Sequence, residues 1–224
     1  MVPVITIDGP SGSGKGTICQ RLSEKLGFHL LDSGALYRLT AVASMRQGVD
    51  LHDISATADI ARHLNVVFEP SNQGVVVLLD NRDVTSEIRQ EKASQGASIV
   101  AAHIPVRQAL LVRQRAFREP PGLVADGRDM GTTVFPDAVV KIFLTASPEE
   151  RAKRRYNQLI ERGDSVTLRA LLDSIKARDE RDMQRSASPL KAAQDALEID
   201  STKMTISAVL EKVVSLVQQR IGLI

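Results

Sequence analysis

The chain has 224 residues, which is enough for one substantial hydrophobic core with a small inserted subdomain. It carries 29 Lys and Arg against 27 Asp and Glu, and only 3% of its residues are aromatic. This composition argues against a stacking-based nucleic-acid binder, and a single Cys excludes an internal disulfide. No apolar run reaches transmembrane length, and the first residues lead directly into a predicted strand. We therefore expect a cytoplasmic protein with neither a membrane nor a nucleic-acid partner.

The first predicted elements are a buried strand, a glycine-rich loop and a helix. The apolar run 2–7 ends at Asp8, and Ile18 and Leu22 follow at helical spacing before Gly27. Between the strand and the helix lies GPSGSGKGT, which places backbone N–H groups around a concavity at a helix N-terminus. Strand, loop and helix in this order are the context that a phosphate-binding loop requires.

This loop predicts a site for the phosphates of a nucleoside triphosphate. The alternative, a plain glycine-rich turn, is disfavoured by Lys15, whose charge suits the β- and γ-phosphates. Thr17 or Ser13 could offer a hydroxyl toward a Mg²⁺ shell, while Gly16 stands where the common pattern has Ser or Thr and lets the helix start tightly. The predicted ATP-binding residues are Gly9, Pro10, Ser11, Gly12, Ser13, Gly14, Lys15, Gly16 and Thr17.

Short apolar runs then alternate with helical patterns along the chain. They occupy 28–31, 122–127, 138–146 and 196–200. The alternation predicts an α/β fold, in which a parallel sheet carries helices on both faces and ligands bind at the carboxyl ends of the strands.

One region, 65–84, breaks this alternation. It reads as two strands joined by a turn at 71–74, which is an antiparallel hairpin. We interpret 60–100 as an insertion, with the core formed by 1–59 and 101–224.

Two short segments predict further anion-binding side chains. In LLDSGALYR, Ser33, Tyr37 and Arg38 lie at the start of a predicted helix and could bind a phosphate. The same pattern is also typical of an N-capped surface helix with an incidental Arg. In ADGRDMG, charged residues follow a strand directly: Arg128 suits a phosphate and Asp129 a base edge. Asp126, in the same segment, is equally a Mg²⁺-directed acid or a turn residue.

The basic helix predicted at 147–163 is either a solvated surface or a lid that closes over transferring phosphates. Its arginines would exclude water and add positive charge, as phosphoryl transfer requires. The candidate lid residues, within about 148–165, are Arg151, Arg154 and Arg155.

The next helical pattern, in 165–190, begins with an apolar stripe: Leu168, Leu171, Leu172 and Ile175. At 100° per residue, Arg178, Asp182 and Arg185 lie within roughly 60° of one another and continue that stripe. Simple i,i+4 ion pairs are the alternative, but the inward position favours a binding role.

Together these segments resemble the bacterial cytidylate kinases, a family of nucleoside-monophosphate kinases with a phosphate-binding P-loop. The resemblance rests on VITIDGPSGSGKGT, LLDSGALYR, ADGRDMGT, VFPDA and the two RD pairs near the end, in the expected order. It implies a five-stranded parallel sheet, a monophosphate-binding subdomain that contains the hairpin, and a helical lid. It also implies transfer of phosphate from ATP, with Mg²⁺, to CMP or dCMP.

The resemblance further assigns roles to individual residues. Lys15, Arg128 and Arg185 would assist the transfer. The acceptor phosphate would be held by Ser33, Tyr37, Arg38, Arg128 and Arg185, the base by Ser98, Arg107 and Asp129, and the sugar by Arg178 and Asp182. We expect a monomer.

Two alternatives of other kinds stay open on the sequence. One is a small P-loop kinase that acts on another monophosphate or on a non-nucleotide such as shikimate. The other is a non-catalytic nucleotide-binding or RNA-associated protein, which would leave two phosphate sites without a transfer reaction. A GTPase is disfavoured because neither an Asp-x-x-Gly switch nor an Asn-Lys-x-Asp motif occurs in a suitable place.

Overall fold

Five parallel strands form the sheet on which the candidate site is built. The computed structural model describes residues 1–71, 74–161 and 163–222. The strands of this sheet are β1 (Val4–Asp8), β2 (His29–Asp32), β6 (Leu123–Gly127), β7 (Val140–Thr145) and β8 (Leu197–Asp200). Their order across the sheet is β2-β6-β1-β7-β8. The predicted α/β fold with a five-stranded parallel sheet is confirmed.

The remaining strands and the helices follow in chain order. They are α1 (Lys15–Leu26), α2 (Ser33–Arg46), α3 (Ile54–Arg62), β3 (Val66–Ser71), β4 (Gly74–Leu79), β5 (Arg82–Asp83), α4 (Glu91–Val100), α5 (Ile104–Ala116), α6 (Pro148–Glu161), α7 (Leu168–Gln184) and α8 (Ile206–Ile221). Among the described residues, no helix is long and apolar enough to cross a membrane.

The chain divides into two compact units. One contains 1–32 and 115–224, and the other contains 33–114. The predicted insertion of 60–100 lies inside the second unit, and its assignment as a monophosphate-binding subdomain stays a prediction.

The core of the first unit lies against the central strand β1. All five residues of β1 are buried, because β6 and β7 pair with it on either side and helices cover it. Its apolar side chains pack with α1 and α8 in one cluster: Ile5, Ile7, Ile18, Cys19, Leu22, Val209, Val213 and Val217. A strand buried on both sides favours apolar residues, which explains the largely apolar run at 2–7. Thr6 and Asp8 are the buried polar residues of this strand.

The second unit contains the antiparallel hairpin. In it β3 pairs with β4 from Val66 opposite Leu79 to Ser71 opposite Gly74, and β5 adds a short third strand that the sequence pattern did not predict. The strand prediction is confirmed; of the predicted turn, residues 72 and 73 lie outside the described residues.

Helices α6 and α7 pack against each other through a small apolar cluster. Leu171 and Ile175 are buried against Ala152 and Leu159, as the predicted stripe requires. Leu168 does not follow it: its side chain is 47% exposed, because it is the first residue of α7. Ser147 caps α6, with its hydroxyl accepting from Glu150 N–H at 3.2 Å.

Candidate active site

The donor loop, which we define as Gly9–Thr17, leaves the carboxyl end of β1 through a glycine that the packing requires. Gly9 has a φ of 146°, and a Cβ there would lie 2.0 Å from the carbonyl oxygen of Leu144 on the neighbouring strand β7. Gly14, at a φ of 95°, is the N-cap of α1. Gly16 is different: a Cβ there would lie 3.5 Å from Asp126 Oδ2, which is an ordinary contact. That Gly16 lets the helix start tightly under the phosphates stays a prediction.

Outward-facing carbonyl groups of the donor loop are hydrogen-bonded by two arginines of α6. Arg151 Nη1 donates to Ser11 O at 3.1 Å, and Arg154 Nη1 donates to Ser13 O at 3.3 Å. Ser201 Oγ also donates to Ser13 O, at 3.2 Å. In a trans peptide the N–H points opposite to the C=O, so each of these bonds turns the next residue's N–H to the other side of the loop. The donor loop therefore has peptide donors oriented before any ligand binds.

Lys15 is buried inside the donor loop. Its ammonium group donates to Pro10 O at 2.9 Å and lies 3.9 Å from Asp126 Oδ1. Burial, followed by the nearby charge of Arg128, lowers the pKa of Lys15 to about 8. A polyphosphate would offset the desolvation cost of this buried ammonium group by placing negative charge beside it. This supports the predicted role of Lys15.

Two hydroxyl groups of the donor loop are candidates to contribute to a Mg²⁺ shell. Ser13 Oγ is buried and has no hydrogen-bond partner within the described part of the chain, while Thr17 is half-buried on the first turn of α1. An unpartnered buried hydroxyl fits a phosphate or a metal-bound water as its missing partner. No group of three or more His, Cys, Asp or Glu side chains forms a metal cage among the described residues. The donor set therefore fits Mg²⁺ only together with phosphate oxygens.

Asp8 connects the donor loop to the segment that follows β6. Its two carboxylate oxygens accept from Met130 N–H and Gly131 N–H, each at 2.8 Å. Burial, only partly offset by these two bonds, raises the pKa of Asp8 to about 7. Sequence reasoning missed this residue, although an acid as the last residue of a buried strand could have indicated it.

The charge cluster, defined here as Arg128, Asp182 and Arg185, joins the end of β6 to α7. Arg128 Nε donates to Asp182 Oδ2 at 2.9 Å, and Arg185 Nη1 lies 3.8 Å from Asp182 Oδ1. Burial disfavours the charge of Arg128, but Asp182 outweighs it and raises the Arg128 pKa. Conversely, burial opposes ionisation of Asp182, and the surrounding arginines prevail and lower its pKa. The structure thus brings three predicted substrate-binding residues together in their charged forms.

Two more predicted residues of the first unit lie nearby. Arg178, one turn before Asp182 on α7, reaches Ser11 Oγ of the donor loop at 3.5 Å. Asp129 is buried and directly precedes the π-helical turn Met130–Val134, whose first two N–H groups are those that Asp8 accepts from. Asp129 is thereby held at the carboxyl end of β6, where parallel sheets bind ligands.

The second unit carries the other predicted acceptor residues. Ser33 is buried as the first residue of α2, and Arg38 is half-buried one turn later. The Arg107 guanidinium lies 5.7 Å from the ring centroid of Tyr37, so these two residues are in contact, and Ser98 is buried on α4. Their assignment to the acceptor stays a prediction.

The three predicted lid arginines differ in how deeply their side chains are buried. The Arg151 side chain is 3% exposed and paired with Asp179, whereas Arg154 is about one quarter exposed and Arg155 is half-buried. Both Arg151 and Arg154 donate to the donor-loop backbone. Sequence reasoning missed their partners Asp179 and Ser201, since nothing in the pattern marks an acid and a serine far along the chain.

Comparison with known proteins agrees with this geometry. The family model described as cytidylate kinase matches residues 5–219. A cytidylate kinase of Pseudomonas syringae pv. syringae (strain B728a) is 60% identical over 215 residues, covering 95% of this chain and 94% of that protein. One of Stutzerimonas stutzeri (strain A1501) is 59% identical over 221 residues, covering 98% and 96%.

A solved structure of an uncharacterized protein from Eubacterium ventriosum ATCC 27560 has a TM-score of 0.50 at 14% identity, covering 98% of this chain and 100% of that one, a likeness of fold alone. The family match and the two kinase relatives also span nearly the whole chain, and the relatives are 59–60% identical to it. The chain therefore belongs to the cytidylate kinase family of phosphate-transferring enzymes.

Proposed function

We propose that this protein transfers the γ-phosphoryl group of ATP to CMP and dCMP, giving ADP and CDP or dCDP. The observation that carries the proposal is the donor loop, in which peptide N–H groups are already oriented around the buried ammonium of Lys15. In the reaction, a phosphate oxygen of CMP attacks the γ-phosphorus in line, and the bond from that phosphorus to the β-phosphate oxygen breaks. No side chain need act as nucleophile, so catalysis consists of positioning and charge neutralisation.

The donor phosphates lie, in this proposal, along the donor loop from Gly9 to Thr17. Lys15 exchanges its hydrogen bond to Pro10 O for bonds to phosphate oxygens, which offset the desolvation cost of its buried charge. Mg²⁺, when bound, neutralises charge on the phosphates, with the hydroxyl of Thr17 or Ser13 contributing to its shell.

The acceptor phosphate is bound by arginines that are already charged and fixed. We assign this role to Arg128 and Arg185 of the charge cluster and also to Ser33, Tyr37 and Arg38. Asp182 keeps both cluster arginines in place, and with Arg178 it binds the sugar hydroxyls. Charged groups that are held before the substrate arrives need no reorganisation during the transfer.

Asp129, with Ser98 and Arg107, selects cytosine. A carboxylate accepts a hydrogen bond from the amino group of cytosine, and donors from Ser and Arg satisfy the ring acceptors N3 and O2. Uracil would set a carbonyl against the carboxylate, and such a buried repulsive contact costs about 1–3 kcal/mol. That cost corresponds to roughly tenfold to hundredfold discrimination.

We propose that 60–100 acts as a monophosphate-binding subdomain and that 148–165 acts as a lid. We also propose that the protein works as a monomer. Lid arginines that bind the donor-loop backbone are suited to hold that loop while nucleotides enter.

The test is ADP release, measured with ATP and Mg²⁺ in parallel reactions with CMP, dCMP, UMP, AMP, GMP and dTMP. We expect turnover with CMP and dCMP at least about tenfold above the other four. Turnover with another monophosphate would keep the kinase and overturn the cytosine site. Silence with all six would overturn the proposed function.

A further inference from the structure

We propose that Arg151 and Asp179 form a positioning pair that presets the donor loop for ATP, an inference that rests on the proposed function of that loop. Neither residue needs to touch a nucleotide. The pair acts by holding one peptide of the loop in the orientation that binds phosphate.

Arg151 makes a nearly complete set of hydrogen bonds in a buried position. Its Nη1 and Nη2 donate to the two carboxylate oxygens of Asp179 at 3.0 and 2.6 Å, and its Nε donates to Ala146 O at 2.9 Å. The remaining bond, from Nη1, goes to Ser11 O at 3.1 Å. A planar guanidinium that is fixed on three sides holds this acceptor at a fixed distance and angle.

The bond to Ser11 O determines the peptide between Ser11 and Gly12. Because that peptide is planar and trans, fixing its C=O toward Arg151 directs the Gly12 N–H to the opposite side of the loop. Gly12 has a φ of 77°, and a Cβ there would lie 3.2 Å from Arg151 Cβ, so this peptide also packs closely on α6. A glycine peptide without such a partner could rotate, and its rotation would cost ATP affinity.

Charge neutrality separates this role from that of Lys15. Asp179 pairs with Arg151 through two hydrogen bonds, so the pair adds little net positive charge at the phosphates. A buried bidentate pair specifies geometry, whereas a single buried ammonium supplies charge. Arg151 is therefore better suited to orient the loop than to neutralise the transferring group.

The same pair connects the donor loop to α7. Asp179 lies on that helix next to Arg178, which itself reaches Ser11 Oγ at 3.5 Å, and one turn before Asp182 of the charge cluster. Ser11 is thus contacted through its carbonyl by the Arg151–Asp179 pair and through its hydroxyl by Arg178. Breaking the pair should weaken ATP binding more than CMP binding. The pair contacts the donor loop directly, whereas it reaches the charge cluster only along α7.

The test compares Arg151→Lys, Asp179→Asn and the double variant with the matched pair Arg169→Lys and Asp173→Asn. Arg169 and Asp173 lie on α7 as well, but their side chains are 91% and 68% exposed. Steady-state kinetics give KM for ATP and for CMP, and calorimetric titration with a non-hydrolysable ATP analogue gives a dissociation constant without turnover. Thermal unfolding identifies which variants fold.

We expect each single variant to raise the KM for ATP and the analogue dissociation constant about tenfold, the loss typical of a charged hydrogen bond. The KM for CMP should stay within about twofold of wild type. The double variant should bind ATP no more weakly than the single variant with the larger loss, since each substitution breaks the same pair. The exposed pair should leave all three constants unchanged.

Folded variants whose ATP constants stay within about twofold of wild type would overturn the inference. An equal rise of both KM values would overturn it too, because that is the result of a merely structural pair. If Arg151→Lys fails to fold, the same criteria are applied to the ATP and CMP constants of Asp179→Asn alone. A wild-type protein that binds the analogue but does not phosphorylate CMP would overturn the proposed function and leave this inference standing.

Discussion

The donor loop and the charge cluster are two anion sites built from different parts of the same chain. The donor loop presents backbone N–H groups, oriented by glycines and by arginines that bind its carbonyls from outside. The charge cluster presents side-chain guanidinium groups, held by Asp182. The donor loop therefore depends on the conformation that its backbone can adopt, and the charge cluster depends on its charged side chains.

This difference predicts how each site fails. A backbone site fails when a side chain is added where none fits, and the fold fails with it. A side-chain site fails when a charge is removed, because the ligand then loses a binding group or the remaining groups lose the partner that holds them. The variants below test this distinction, beginning with the largest expected effect.

Gly9→Ala should break the backbone site and destabilise the protein. The new Cβ would meet Leu144 O at 2.0 Å, so the loop and β7 must separate. We expect a cost of about 3 kcal/mol or more and a melting temperature lower by on the order of 10 °C. Thermal unfolding measures it. Gly27→Ala is the control, since its φ of 63° strains alanine but nothing lies within 4 Å. A melting temperature unchanged by Gly9→Ala would contradict the close packing.

Lys15→Ala should abolish the reaction without harming the fold. Removal of a buried ammonium whose pKa is lowered relieves a desolvation cost, so the melting temperature should hold or rise. We expect turnover to fall by at least about a thousandfold. Lys25→Ala, on the exposed side of the same helix, should be active. Near-normal ADP release by Lys15→Ala would refute the assignment of the donor loop.

Asp129→Ala tests the role of a single side chain that directly follows Arg128 of the charge cluster. We expect CMP turnover to fall roughly tenfold to hundredfold, as for the loss of a buried hydrogen bond to a charged group, with a much smaller effect on thermal stability. The exposed Asp137, which pairs with Arg118, provides the control Asp137→Ala. An equal loss of activity with every monophosphate would remove Asp129 as the residue that reads the base.

Asp8 should give the smallest effect, a dependence of stability on pH. Because burial raises its folded-state pKa from 3.8 to about 7, the folded protein binds this proton more tightly than the unfolded chain does. The stability so gained is complete below the unfolded value and is lost as the pH rises through about 7.

Asp8→Asn should therefore flatten the pH dependence. Between about pH 5 and pH 8, the free energy of unfolding should fall by about 2–3 kcal/mol more in wild type than in the variant. Denaturant unfolding at both pH values measures this difference. Parallel curves for the two proteins would show that Asp8 does not titrate in this range.

Local patterns in the sequence predicted the framework of both sites. The continuous apolar run before Gly9 predicted β1, and the alternation of short strands with helices predicted the parallel sheet. Arg178, Asp182 and Arg185 were predicted to continue an inward stripe, and Asp182 is buried as that requires. Helical periodicity is a local property, so one sequence is enough to show it.

Contacts across long stretches of the chain were not predictable in the same way. Asp8 binds N–H groups 122 and 123 residues later, and Ser201 binds a carbonyl 188 residues earlier. Only the packed fold brings such groups together. For the same reason Arg151 was predicted as a lid residue from its basic neighbours, while its burial and its pairing with Asp179 depend on how α6 meets α7.

The central claim is transfer from a nucleotide at the donor loop to CMP. The most direct measurement uses ATP labelled in the γ-phosphate, incubated with CMP, Mg²⁺ and the wild-type protein, with separation of the nucleotide products. We predict that the label appears in CDP in the same amount as ADP is formed. Label in inorganic phosphate, with none in CDP, would contradict the account, since it would mean that the donor loop binds ATP for a reaction other than transfer to CMP.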